Sequence, residues 1–196
     1  VSAVMWVSFL SYAITTTLSP GPNNILVLNA ISNNGMKRSK QLIFGVYFGF
    51  FSVMVICGMF SVVLAKYIPT AMPYMKYIGC AYILWLAYYT AISKPSSSDA
   101  EEGSTSFMRG FILQFVNVKI ILWGITIFTG YVLPYYSSFA AVASFIVLAT
   151  IIGDGATHLW AIAGVILHKI INKYWRPINL MMALLLVYSA LSLILK

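Results

Sequence analysis

Lys119, Asp154 and His158 are ionisable residues set deep inside long apolar runs, and each run that carries them also contains a glycine- or asparagine-marked interruption. A charge held at membrane depth faces a cavity or a partner, so each of these residues is a candidate for binding or moving charge. Lys119 lies ten residues beyond Arg109, on the order of 15 Å along a helix, too deep to reach the near boundary without stretching. Its chemistry suits a counter-charge for a solute carboxylate or for Asp154, with Gln114 and Asn117 lining the same region. Asp154 and His158 are four residues apart, on one helical face, where a carboxylate and an imidazole can pass a proton. A purely structural pair, or one that only balances Lys119, is the competing reading of the same spacing.

A second polar knot, Pro20-Gly21-Pro22-Asn23-Asn24, interrupts the first apolar run. The two prolines remove two amide donors and push the residues before them away from helical dihedrals, which leaves carbonyls near Thr16, Thr17 and Leu18 in need of partners. Beyond them the amides of Asn23, Asn24 and Ile25 begin a new helix, whose free N–H groups and positive dipole end favour an anion such as a carboxylate. The Asn23 and Asn24 side chains donate and accept, which suits a zwitterion. A proline kink capped by asparagine is the plainer alternative.

The elements that must position these residues are membrane helices. Of 196 residues 61% are apolar and 8% charged, with a mean hydropathy of +0.89, too little polar surface to coat a soluble globule of this length. Runs that reach the roughly 17 to 25 residues of a spanning helix are read at Ser2–Leu18, Gln41–Ala65, Ala71–Ile92, Phe107–Val132, Ser137–Leu167 and Pro177–Leu195. The first run has no basic leader and no cleavage site of the usual kind, and is expected to be a span and not a removable signal. The net charge of +8 reports topology and not nucleic acid. Lys37, Arg38, Lys40, Lys94, Arg109, Lys169, Lys173 and Arg176 fall on one side, against Lys66, Lys76 and Lys196 on the other. The positive-inside rule then puts both termini outside. Tyr67, Tyr74, Tyr77, Tyr131, Tyr135 and Tyr136 are expected at the outer interface, Tyr174 and Trp175 at the inner one.

A serine-rich polar stretch, residues 93–106, divides the chain into 1–92 and 107–196, each with three spans. An odd number of spans inverts the second half relative to the first. The fold expected is an all-α integral membrane protein of six transmembrane helices, built as two inverted three-helix repeats with helices one and four broken; such repeats bring broken helices together at a midplane solute site. Gly45 and Gly49 form a G-x-x-x-G face for helix packing. Cys57 and Cys80 lack the C-x-x-C spacing of a redox couple and are read as packing residues, which leaves an intramembrane thiol oxidoreductase as the enzyme alternative. A metal or cation exporter of related fold would need more ligands than one Asp and one His. No cofactor or metal site is expected, and a hydrolase lacks its G-x-S-x-G turn.

The residues Ser19-Pro20-Gly21-Pro22-Asn23-Asn24, the basic turn Gly35-Met36-Lys37-Arg38 and the run Gln114-Phe115-Val116-Asn117-Val118-Lys119 resemble those of the LysE/RhtB family of amino-acid exporters, and most of all its cysteine/O-acetylserine exporter subgroup. The resemblance covers essentially the whole chain. It implies export of small neutral amino acids or their derivatives across the bacterial inner membrane, in exchange for protons, with no enzymatic activity. Many relatives read Asn-Pro-Lys where this chain has Asn117-Val118-Lys119, so the second break is expected to be milder. Asp154 and His158 belong to no motif of that family.

Overall fold

The computed structural model describes residues 3–92, 105–136 and 138–195, which are helical almost throughout. The elements are α1 (Ala3–Leu18), α2 (Pro22–Ile92), α3 (Phe107–Val116), α4 (Val118–Thr126), a π-helical segment (Ile127–Val132), α5 (Phe139–Lys173) and α6 (Trp175–Leu195). The expected linker 93–106 lies outside the described residues, apart from Thr105 and Ser106.

Helix α1 ends where its prolines predict. Its last main-chain bond runs from Ser19 N to Thr15 O (3.2 Å), and regular bonding resumes only with Ile25 N to Gly21 O (3.0 Å). Helix α2 is a run of 71 residues broken at Gly35 (φ 77°, ψ 162°) and at Phe60 (φ −115°, ψ 16°). The positive φ at Gly35 is a conformation that side chains with a Cβ rarely adopt. The connection expected near residues 66–70 is instead helical, and the break in helical geometry falls earlier, at Phe60.

Ser106 caps α3 by accepting from Arg109 N, and Ser138 caps α5 by accepting from Ala141 N, both serving amides that a helix start leaves unpaired. Between α3 and α4 the axis bends by 59°, because Asn117 takes extended dihedrals (φ −82°, ψ 92°). Valine in place of proline at 118 does not straighten the chain: Asn117 alone supplies the break.

Glycines bring α3 against α2. A Cβ on Gly49 would stand 2.7 Å from the Phe111 carbonyl oxygen, one on Gly45 would overlap the Phe107 carbonyl, and one on Gly110 the Leu42 carbonyl. The G-x-x-x-G face is thus a backbone-to-backbone contact. Two apolar clusters flank this crossing. One gathers Phe9, Phe50, Met54, Trp123, Phe128 and Phe145, and the other Ile25, Leu42, Leu86, Leu113 and Leu186.

Val4, Phe139, Ile166 and Tyr188 are each more than 70% exposed, and large apolar side chains cover much of the outer face, as a lipid-facing surface requires. Pro22–Ser61 and Phe139–Leu167 are long and apolar enough to cross a membrane, and the bent pair Phe107–Val116 with Val118–Val132 makes a third span if counted as one. Ala3–Leu18, Cys80–Ile92 and Trp175–Tyr188 are shorter apolar helices. Tyr67, Tyr74, Tyr77 and Tyr135 are exposed, whereas Tyr131 and Tyr136 pack inward on the first cluster, Tyr131 stacked on Tyr12.

Candidate functional site

The two helix breaks meet. Asn23 Nδ2 donates to Gln114 Oε1 (2.7 Å) and Gln114 Nε2 donates back to Asn23 Oδ1 (2.9 Å), with Gln114 fully buried. The second Gln114 amide hydrogen goes to Gly110 O (2.9 Å), so this side chain ties the start of α2 to the glycine contact of α3.

The carbonyls released at the end of α1 find donors from three other parts of the chain. Asn24 Nδ2 donates to Thr17 O (2.9 Å) and Ser19 O (3.1 Å), and Trp160 Nε1 of α5 to Leu18 O (3.2 Å). Lys119 Nζ donates to Ser19 Oγ (2.8 Å) and Ser19 O (3.2 Å). One turn along α4, Trp123 Nε1 donates to Thr16 Oγ1 (2.9 Å). Gly21 leaves room for the lysine, since a methyl group there would stand a tight 3.1 Å from Lys119 Nζ. This is how irregular backbone is satisfied inside a membrane protein, by protein donors instead of water.

A cavity of about 40 Å³ opens at this junction, room for about three water molecules. Thr16 and Thr17 of α1, Gly21, and Pro22, Asn23 and Asn24 at the start of α2 form one side. Asn117, Lys119, Ile120 and Trp123 face them, and Phe50 with Gly153 and Thr157 of α5 closes the remainder. A Cβ on Gly153 would overlap the Phe50 ring, and Phe50 lies 5.6 Å from the Trp123 ring, so the apolar wall is tightly packed. Asn117 is 2% exposed, and its Oδ1 has no hydrogen-bond partner.

Of the residues singled out from sequence, Gly21, Pro22, Asn23, Asn24, Asn117 and Lys119 line one cavity, while Gln114 stands behind it, bonded to Asn23. Pro20 is not part of the lining. The Asn23 amide bridges to the second broken helix through Gln114, while the Asn24 amide closes the first break onto Thr17 and Ser19. Among the described residues Lys119 is held by Ser19 and forms no ion pair with Asp154. Asp154 lies beside the cavity residue Gly153, with Oδ1 buried and unpartnered. His158 is exposed and its Nδ1 meets the Tyr47 hydroxyl (3.0 Å), not Asp154.

Sequence reading missed Thr16, Thr17, Phe50, Trp123, Gly153 and Thr157 as cavity residues. The threonines immediately before the proline break carried a usable signal, as did Gly153 and Thr157 flanking Asp154 on α5; Phe50 carried none. Cys57 and Cys80 are free and belong to different apolar clusters, so they do not form a redox couple in this arrangement.

Residues 14–196 match the family described as LysE type translocator. The chain is 38% identical to proteins named cysteine/O-acetylserine efflux protein in Escherichia coli (strain K12), Shigella sonnei (strain Ss046) and Shigella flexneri, over 95% of its own length and 95% of theirs. No solved structure matches it.

Proposed function

The chain belongs to the LysE type translocator family, and from that membership we propose that it exports small neutral amino acids or their derivatives, of the cysteine/O-acetylserine kind named for its relatives. The observation that carries this reading is the meeting of both helix breaks at one polar cavity that holds Lys119. A carboxylate entering there finds an ammonium whose protein partners are the hydroxyl and carbonyl of a single serine. The first amides of α2 add donors and the favourable end of a helix dipole. Substrate is thus held by Lys119 and the α2 start, with Asn23 and Gln114 fixing the geometry of the latter. A cavity of this size must widen to admit an amino acid, which fits a carrier that opens its site to one side at a time.

The architecture we assign is six spans in two inverted repeats, residues 1–92 and 107–196, joined by a cytoplasmic linker at 93–106. Rocking of one repeat against the other would then expose the cavity alternately. The charge bias supports an orientation with both termini outside the bacterial inner membrane. Coupling to protons is assigned to Asp154 and His158; the exposed Tyr47–His158 contact and the buried Asp154 oxygen support two stations on α5 better than one joined pair.

The test is purified protein in vesicles loaded with a panel of labelled amino acids, with and without a pH gradient. Efflux of small neutral amino acids, accelerated by an inward proton gradient and lost in Lys119→Ala, is the expected result. Equal efflux from protein-free vesicles across the whole panel would remove the assignment.

A further inference from the structure

We propose that Asn117 and Thr157 form the receptor for the ammonium group of the substrate, so that the cavity selects amino acids whose α-amino group is free and protonated. The inference rests on the reading of this cavity as the substrate site, and goes beyond it by fixing which way round the substrate lies.

The cavity is chemically two-ended. Lys119 and the first N–H groups of α2 can only donate, and they suit a carboxylate. The acceptors are elsewhere. Asn117 Oδ1 is buried, lines the cavity and has no hydrogen-bond partner, an unusual state for a buried carbonyl oxygen, which nearly always has a donor. Thr157 is 3% exposed and lines the same cavity from α5. Helical threonines in this chain turn their hydroxyls back to the preceding turn: Thr150 of the same helix donates to Ile146 O (2.8 Å), and Thr126 and Thr129 do likewise. Thr157 makes no hydrogen bond among the described residues, which leaves its oxygen available to the cavity.

An α-ammonium group carries three N–H donors and no lone pair, the complement of two waiting oxygens. Asp154 lies three residues before Thr157 with one carboxylate oxygen buried and unpartnered. Three residues along one helix put its side chain on the same face as Thr157. On the α1 side of the cavity, Thr17 O already accepts from Asn24.

The experiment uses the full chain in vesicles with labelled L-cysteine under reductant. Competitors are L-alanine, which lacks the thiol, and 3-mercaptopropionate, which lacks the ammonium. Wild-type protein is expected to be inhibited by alanine at a concentration at least about tenfold lower than by 3-mercaptopropionate, the preference expected from one hydrogen bond to a charged group. Thr157→Val, which keeps the shape of the side chain, should raise the half-saturating cysteine concentration about tenfold while leaving inhibition by 3-mercaptopropionate unchanged; Thr157→Ser should restore the preference. Asn117→Asp, which keeps an acceptor, should retain it. If 3-mercaptopropionate competes as well as alanine in wild type, or if Thr157→Val weakens both competitors equally, the ammonium receptor is overturned although transport stands. If Thr157→Val instead erases the difference between cysteine and alanine, these oxygens serve the side chain and the proposal fails. Absence of transport of cysteine and of every other amino acid in the panel would instead refute the export reading itself.

Discussion

Asn23 and Gln114, 91 positions apart, exchange two amide hydrogen bonds with each other at 2.7 and 2.9 Å. Among the described residues each is the other's only side-chain partner, and together they hold the restart of the first broken helix against the helix that precedes the second break. Any wall of the cavity that moves must carry this pair with it or part it.

Removing Gln114 leaves the Asn23 amide buried without this partner, and removing Asn23 leaves the Gln114 carbonyl oxygen without its donor, at a cost of about 1–3 kcal/mol, whereas replacing both with apolar residues of similar shape costs much less. The double variant Asn23→Leu, Gln114→Leu is therefore expected to destabilise the detergent-solubilised protein by less than the sum of the two single replacements. A thermal-unfolding double-mutant cycle checks this; additive single effects would show that the two amides are energetically independent.

Gly21 and Lys119 are sterically coupled, since a methyl group at 21 would lie 3.1 Å from the ammonium. Gly21→Ala should slow efflux several-fold by displacing Lys119 from Ser19, and Ser19→Ala should have a smaller effect because the Ser19 carbonyl still accepts. Initial efflux rates of the two variants, normalised to reconstituted protein, decide the order.

Gly153 sets how far the Phe50 ring withdraws from the cavity, as a Cβ at 153 would overlap that ring. Gly153→Ala is expected to exclude larger neutral amino acids before smaller ones, and Phe50→Leu in the same chain to relieve the exclusion. Gly155 has open space around it, so Gly155→Ala serves as the control and should transport as wild type. A panel graded by side-chain volume reads the effect.

Cys57 and Cys80 sit in separate apolar clusters. The double replacement Cys57→Ser, Cys80→Ser should retain transport within about twofold, the scale of one modest hydrogen-bond or packing adjustment, and be indifferent to reductant. Loss of activity restored by neither reductant nor oxidant would point to packing, while a redox-dependent rate in wild type alone would revive thiol chemistry.

The sequence disclosed the breaks better than their use. Paired prolines and a glycine determine main-chain geometry locally, so the interruption at residues 19–21 was legible, as was the G-x-x-x-G contact, which depends on side-chain size alone. Asn117 showed that an asparagine can break a helix without proline, a choice made by tertiary context. Which partner each polar side chain takes depends on distances between helices, and no spacing along the chain encodes them. Asp154 and His158 share a helical face by count, yet His158 turns to Tyr47. Phe50 lines the cavity but reads in the sequence like any other phenylalanine of an apolar run. The break at Phe60 was misplaced for a related reason: Gly58 and Ser61 beside it are isolated residues in an apolar run, with no proline or polar cluster to announce it.

Gly35 combines a φ of 77° with a ψ of 162°, an extended positive-φ conformation essentially confined to glycine, which another residue would enter at a cost on the order of 1–3 kcal/mol. With the proline interruption before Pro22, it leaves residues 22–34 as a rod of about 20 Å jointed at both ends. Such a rod transmits push and pull but little torque, so a displacement at its Asn23 end can arrive at the basic turn beside Lys37 and Arg38 as a change of tilt, without either neighbouring helix having to deform.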